Sequence, residues 1–316
     1  MNYPETLAWI HGTERFGSRL GLGRMGRLLH RMGDPHLKVP YIHVAGTNGK
    51  GSTTTMIASA LTAGGFKTGK FISPFILEFR ERMQIDGQMI PEETLAALAT
   101  RLRPIAEEFK AAGDPLTEFE LVTVLGLTWF AEAGCDIAVL EVGLGGRLDA
   151  TNIIPPPLVA VITRIDYDHT AILGDTLAAI AGEKCGILKR GSTVICYPDQ
   201  EEEALAVIRR RAKEEDDPLI LPDRTALSVL SADLTGSRIL YRGQEIFIPL
   251  PGPHQVLNTI TAVEALNALS SSRFALPPSA IAAGIAAARF PARLELLRQS
   301  PPVLVDGAHN PNGGRA

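Results

Sequence analysis

Residues 46–52 read Gly-Thr-Asn-Gly-Lys-Gly-Ser, and their chemistry suggests a phosphate cradle. A polyphosphate needs closely spaced backbone N–H donors, and only glycine lets the main chain approach that closely. It also needs a cation, here Lys50, and a hydroxyl near Mg2+, here Ser52 or Thr53. A helix that begins at such a loop adds its N-terminal dipole. The pattern departs from G-x-x-x-x-G-K-[ST], because Gly46 lies three residues before Gly49 and Gly51 separates Lys50 from Ser52. The plain alternative is a Gly-rich turn capping a helix. The order strand, glycines, lysine, hydroxyls, helix favours phosphate binding.

Other chemistry-bearing residues stand where apolar runs end. Glu141 lies at the end of Ile137–Val142, just before Gly143-Leu144-Gly145-Gly146-Arg147. A carboxylate there can hold a hard cation or be an ordinary solvated acid, and the residue alone does not choose. Arg164-Ile165-Asp166-Tyr167-Asp168-His169-Thr170 follows the next apolar run. Its histidine can ligate a metal or act as a base, although a single histidine is more often structural. Lys184, in Gly-Glu-Lys-Cys-Gly, reads as a surface lysine after a helix, and Cys185 as a packing residue. Asp306-Gly307-Ala308-His309-Asn310-Pro311 carries more functional side chains than a turn requires, and reads as a binding turn.

The elements that must position these residues alternate. Helix is expected through Met1–Met32, then a strand at Tyr41–Ala45, a helix at Thr53–Ala63 and a strand at Lys67–Ile72. Ser73–Gln88 reads as a polar loop with a turn at Asp86-Gly87. Helices follow at Pro91–Ala112, with Pro91 in its first turn, and at Thr117–Ala133, where Thr117 and Glu120 have capping-box spacing. Ile137–Val142 and Leu158–Thr163 are uninterrupted apolar runs, as in strands buried on both faces. Asp175–Ala181, Glu201–Lys213, His254–Leu269 and Pro278–Ala288 read as helices, and Ser228–Pro249 as an antiparallel patch. Gln299–Pro302 reads as a hinge, followed by a strand at Val303–Val305. The alternation predicts a doubly wound α/β fold with a mostly parallel sheet, a small antiparallel patch and the start of a second α/β domain. The expected domains are 1–297 and 298–316. In such sheets ligands sit beyond the carboxyl ends of strands, where the motifs above fall.

Composition narrows the class. The net charge of −4, from 31 basic and 35 acidic residues, argues against a general nucleic-acid binder. Three cysteines in no metal or disulfide spacing fit a reducing cytoplasm. Met1–Gly12 has no apolar signal core, and the longest apolar run, Leu121–Ala131, is too short to span a bilayer. A soluble cytoplasmic protein with no membrane partner is expected, and nothing demands more than a monomer.

Taken together, the segments resemble the dihydrofolate synthase/folylpolyglutamate synthase family of the Mur ligase superfamily. The resemblance rests on HVAGTNGKGS (43–52), FISPF with FRERM (71–83), LTEFELVT (116–123), LEVGLGGRLDATN (140–152), ITRIDYDHTAILGDT (162–176), EKCGIL (183–188), GPHQVLNTITAVEAL (252–266), FPARLE (290–295) and LVDGAHNPN (304–312). It implies a ligase that uses ATP to join L-glutamate to dihydropteroate, to tetrahydrofolates or to both, through an acyl phosphate. It implies that Asn48, Gly49, Lys50, Gly51, Ser52, Asn258, Arg293, Asp306 and His309 bind ATP. Ser52, Ser73, Glu141 and His169 would hold two Mg2+ ions, and Lys184 would be carbamoylated, with Lys50, Lys184 and His169 catalytic. Phe119, Glu120, Asp149 and Ala150, with Leu22, Gly23 and Arg24, match folate-binding stretches.

Three departures accompany the resemblance. The family's SPH is Ser73-Pro74-Phe75, its PGR is Pro291-Ala292-Arg293, and family members continue beyond the position of Ala316 through a C-terminal domain. The competing readings are a peptidoglycan-type Mur ligase, disfavoured by Gly51-Ser52 and by Asp149-Ala150-Thr151-Asn152, a P-loop phosphotransferase or NTPase, and an inactive nucleotide-binding fragment.

Overall fold

The computed structural model describes residues 1–13, 21–308 and 314. Two short helices come first, α1 (Tyr3–His11) and α2 (Gly23–Arg31). The second buries Met25, Leu28 and Leu29, the i, i+3, i+4 stripe of a helix with one covered face. Strand β1 (Tyr41–Ala45) is buried at every position. After it come α3 (Lys50–Ala63), β2 (Thr68–Phe71), β3 (Met83–Ile85), β4 (Gln88–Met89), α4 (Glu92–Ala111), α5 (Glu118–Glu132), β5 (Ile137–Glu141) and β6 (Val159–Ile162). Then follow α6 (Thr170–Leu173), α7 (Leu177–Lys184), β7 (Thr193–Cys196), α8 (Glu202–Glu215) and β8 (Leu219–Ile220). The chain closes with β9 (Leu227–Asp233), β10 (Gly236–Tyr241), β11 (Gln244–Ile248), α9 (Pro253–Asn267), α10 (Pro278–Ala287), β12 (Glu295–Gln299) and β13 (Pro302–Val305).

Among the described residues one eight-stranded sheet runs β4-β3-β2-β5-β1-β6-β7-β8. The six strands from β2 to β8 in that order are parallel, and the β3–β4 hairpin joins antiparallel to β2. Successive side chains of a strand face opposite ways. Ile42 and Val44 of β1 therefore enter the core shared with α3, α9 and α10. Tyr41 enters the core shared with α1, α2, α4 and α5. This is a doubly wound α/β fold. The antiparallel patch is the separate sheet β11-β10-β9.

Several boundaries differ from expectation. The expected helix over 1–32 is two helices, since Gly12 closes α1, and the intervening residues 14–20 lie outside the described set. The helix after the Gly-rich loop begins at Lys50, three residues before Thr53, so the lysine and its neighbours belong to its first turn. Ser73–Gln88 is not all loop, because it contains β3 and leads into β4 around Asp86-Gly87. Both turn residues have positive φ, 51° and 77°, the geometry that matches strand twist in a tight hairpin. Strands of three and two residues are too short for their alternation to stand out. Pro91 is the N-cap of α4 rather than its first helical residue. The helix expected at Asp175–Ala181 runs Leu177–Lys184 instead, capped by Thr176. The expected hinge at Gln299–Pro302 is the turn of the β12–β13 hairpin.

The capping box of α5 forms as spaced: Thr117 caps the Glu120 amide, and Glu120 returns to the Thr117 amide at 2.8 Å. Thr117→Ala should lower unfolding free energy by about 1 kcal/mol, measured by urea denaturation against the parent chain.

Candidate active site

Strand β1 delivers the Gly-rich loop to the carboxyl edge of the sheet, between β5 and β6. The Thr47 and Asn48 amides both donate to the Arg164 carbonyl, at 2.8 and 3.2 Å. Thr47 Oγ1 also donates to the Asp166 carbonyl at 2.9 Å and accepts from the Asp166 amide at 3.0 Å. The loop is thus pinned to the segment after β6. The Thr53 amide, bonded to the Gly49 carbonyl at 3.0 Å, begins the helical ladder. The amides ahead of it head the helix, where donors lack intrahelical partners.

Two glycines are required by contact. A Cβ at Gly46, where φ is 154°, would collide with the Thr163 hydroxyl. A Cβ at Gly51 would lie 2.6 Å from the Phe290 ring and 3.3 Å from Glu141 Oε2.

The loop's carbonyls meet two lysine side chains. Lys50 Nζ donates to the Thr47 carbonyl at 3.1 Å. Lys184 Nζ donates to the Gly46 carbonyl at 2.7 Å. Lys184 is not the surface lysine that its local sequence suggests, because it is 4 % exposed at the end of α7. Burial, and then the nearby Lys50 cation, bring its pKa down to about 7, against the opposing pull of Asp168 and Asp149. Its neighbour Cys185 is a buried free thiol, pushed up to about 12 by burial, as suits a packing residue.

Glu141 ends β5 beside the loop and accepts the Ser73 amide at 3.2 Å. Burial raises its pKa, while Lys50, the Ser73 amide and Arg293 pull it down. His169 sits at the rim, with a left-handed φ of 49° and a side chain 54 % exposed. Its Nε2 lies 3.8 Å from an Asp168 carboxylate oxygen.

The far wall comes from α9 and the final hairpin. Gln255 donates to Ser52 Oγ at 3.2 Å, and Asn258 donates to Gln255 Oε1 at 3.0 Å. Arg293 stacks 4.8 Å from the Phe290 ring centre. Asp306 accepts the Leu294 and Ala308 amides at 2.9 and 2.7 Å.

The loop, Ser73, Glu141, His169, Lys184, Asn258, Arg293 and Asp306 all line one cavity of about 410 Å³. His309 lies outside the described residues. Gln255, His254 and Arg164 also line it, and none was singled out from sequence. The sequence 252–266 was a usable signal for the first two. Arg164 contributes its backbone carbonyl, which side-chain reasoning does not register.

A second cavity of about 310 Å³ adjoins the first and is lined by Phe119, Glu120, Asp149, Ala150 and Arg82. Gly21 lines it, whereas Leu22, Gly23 and Arg24 do not. Arg24 reaches the site indirectly, donating to Glu120 Oε1 at 2.8 Å. Ser73, Pro74, Gly143 and Leu144 line both cavities. Among the described residues no group of three His, Cys, Asp or Glu side chains is placed to hold a metal.

Fold and cavity define a nucleotide-binding α/β protein of the Mur ligase class, and a model of the Mur ligase middle domain matches residues 44–266. The dihydrofolate synthase/folylpolyglutamate synthase of Bacillus subtilis (strain 168) is 40 % identical over 98 % of this chain and 74 % of its own length. The folylpolyglutamate synthase of Lacticaseibacillus casei is 39 % identical over 99 % of this chain and 75 % of its own. The Mycobacterium tuberculosis folylpolyglutamate synthase complexed with ADP superposes with a TM-score of 0.89 and 33 % identity, covering 100 % of this chain and 73 % of that one. An FPGS–AMPPCP–folate complex gives 0.90 and 37 %, covering 99 % and 78 %. The chain belongs to the dihydrofolate synthase/folylpolyglutamate synthase family of Mur ligases.

The departure at Ala292 has a structural consequence. Its φ is 52°, in the left-handed region that disfavours a Cβ. The conformation costs an L-residue about 1–2 kcal/mol, against about 0.5–1 kcal/mol of backbone entropy that a glycine would lose on folding. Ala292→Gly should therefore raise the thermal midpoint slightly, checked by calorimetry. A clear fall would mean that the left-handed conformation at Ala292 carries no such strain.

Proposed function

We propose that the larger cavity binds ATP and the smaller one a folate, and that L-glutamate is joined to dihydropteroate, to tetrahydrofolate (poly)glutamates or to both. The observation that carries this reading is the shared partition of Ser73, Pro74, Gly143 and Leu144. With ATP in one cavity and a folate in the other, a terminal phosphate and a carboxylate would meet at these shared residues. An ATP-dependent ligase of folate metabolism requires that adjacency. The carboxylate attacks the γ-phosphorus, ADP leaves, and the acyl phosphate formed is then attacked by the glutamate amine with loss of phosphate.

The residues support this chemistry. Asn48 to Ser52 would cradle the phosphates, and Lys50, released from the Thr47 carbonyl, would place its charge on them. Phosphoryl transfer asks mainly for positioning and neutralisation of charge. Asn258, Arg293, Asp306 and His309 would hold the rest of the nucleotide. Ser52, Ser73, Glu141 and His169 would hold Mg2+, offering three oxygens and one imidazole nitrogen beside the water and phosphate that such a hard ion keeps. Glu141 is the buried carboxylate that such an ion would neutralise. When bound, Mg2+ would offset charge on the phosphates. Burial and Lys50 favour neutral Lys184, the form whose amine adds to CO2 to give a carbamate and release a proton. Phe119, Glu120, Asp149 and Ala150 would shape the folate side, with Arg24 behind Glu120 and with Leu22 and Gly23 opening the helix that carries Arg24.

Residues 1–297 would form the ATP- and folate-binding domain and residues 298–316 the start of a second one. Among the described residues no helix is long and apolar enough to cross a membrane. A cytoplasmic monomer is part of the same proposal.

ADP release should depend on glutamate together with dihydropteroate or tetrahydrofolate, and Lys50→Ala should lower kcat by about 10²–10³-fold. Glutamate-independent turnover would point instead to a phosphotransferase or NTPase. A second outcome concerns Lys184. Its neutral fraction rises as pH passes about 7, so bicarbonate added to CO2-depleted enzyme should restore activity more completely at pH 8 than at pH 6. Equal rates with and without bicarbonate would remove the carbamate from the proposal.

A further inference from the structure

Asp149 lines the smaller cavity, yet both its oxygens are turned to its own chain. Oδ1 accepts the Thr151 amide at 3.0 Å and the Thr151 hydroxyl at 2.5 Å. Oδ2 accepts the Leu144 amide at 2.8 Å; burial raises the carboxyl's pKa, while the Thr151 hydroxyl and the Leu144, Thr151 and Gly143 amides pull it down. Gly143 and Leu144 belong to the partition between the two cavities. The carboxylate is thus a strut under that wall.

Behind the strut stands His43, at the centre of β1 and fully buried. Its Nε2 lies 2.9 Å from Thr151 Oγ1. A hydroxyl has one proton, and Thr151 directs its proton to Asp149. Toward His43 the hydroxyl can therefore only accept, so Nε2 carries the imidazole proton. His43 Nδ1 is buried with no partner among the described residues. An orphaned lone pair is tolerated there better than an orphaned N–H, which selects the same tautomer. Burial, with a smaller push from Lys189, lowers the ring's pKa to about 3, so it stays neutral near pH 7.

We infer that His43 is a positioning residue for the smaller, folate-side cavity: through Thr151 it orients Asp149, which holds the Gly143–Leu144 segment shared by the two cavities. His43 lies three residues before Gly46 on the strand that delivers that loop. One strand therefore sets both the phosphate cradle and the wall facing it. The kinetic part of this inference rests on the ligase reading above, while the hydrogen-bond chain does not.

The test has two arms. In the first, 15N NMR of histidine-labelled full chain reads the His43 ring. A neutral ring protonated at Nε2 from pH 5.5 to 8 is expected, and an Nδ1–H tautomer or a charged ring would overturn the relay. In the second, steady-state kinetics compare His43→Leu, His43→Gln, Thr151→Val and Thr151→Ser. His43→Leu and Thr151→Val should each raise KM for the folate substrate roughly five- to fiftyfold, with KM for ATP changed less than about twofold. Gln, whose amide N–H can reach the same hydroxyl, and Ser, which keeps that hydroxyl, should restore most of the loss. The His43→Leu/Thr151→Val double variant should be no worse than Thr151→Val alone, because both remove one chain of bonds. Equal rises in both KM values, or no rescue by Gln and Ser in variants of unchanged thermal midpoint, would reduce His43 to a packing residue. If the parent chain shows no folate-dependent ADP release, the ligase reading fails, and the NMR arm still decides the relay.

Discussion

The cavity depends on how the main chain leaves β1. A buried strand end must place its polar groups somewhere. Here the carbonyls of Gly46 and Thr47 accept from the side-chain nitrogens of Lys184 and Lys50, and the amides of Thr47 and Asn48 are taken by the Arg164 carbonyl. Only after these groups are satisfied do the following amides head α3 toward the cavity. The same packing excludes a Cβ at Gly46, which faces Thr163, and at Gly51, which faces Phe290 and Glu141. Polar satisfaction and close approach therefore act together, and the anion-receptive surface results from both.

Sheet order explains which other residues arrive. The chain leaves β1 through α3 to β2 on one side, returns to β5, and then crosses to β6 on the other side. A parallel sheet opens a crevice at such a reversal. Glu141 ends β5, and Thr163 follows β6, so residues nearly a hundred or more positions from the loop flank it directly. The α7 helix brings Lys184 beneath the loop, and α9 brings Gln255 and Asn258 over it. Each is a long-range consequence of strand adjacency.

The departures from the family pattern are absorbed locally. Phe75 packs against Phe79, with ring centres 5.8 Å apart, and Arg82 lies over its face at 5.2 Å. An aromatic ring can exchange imidazole chemistry for apolar and cation–π contact at such a position. Ala292 keeps the left-handed backbone that glycine would adopt more easily, and so Arg293 still reaches the Phe290 ring.

Local chemistry was legible in the sequence. The five buried residues of β1, the capping box of Thr117 and Glu120, the Asp86-Gly87 turn and the order of loop and helix follow from periodicity and short-range hydrogen bonding. From local chemistry Glu141 and the Asp306 turn were visible only as residues, and it was the family resemblance that joined them to the loop. Lys184 looked like a surface side chain, because nothing within a few positions reveals that α7 ends against β1. Gln255 and His43 looked ordinary for the same reason, since their partners Ser52 and Thr151 lie far along the chain. Strand and helix formation answer to neighbours a few residues away. Burial, pKa and the meeting of lysine side chains with carbonyls answer to which strands lie side by side, and only the assembled sheet decides that.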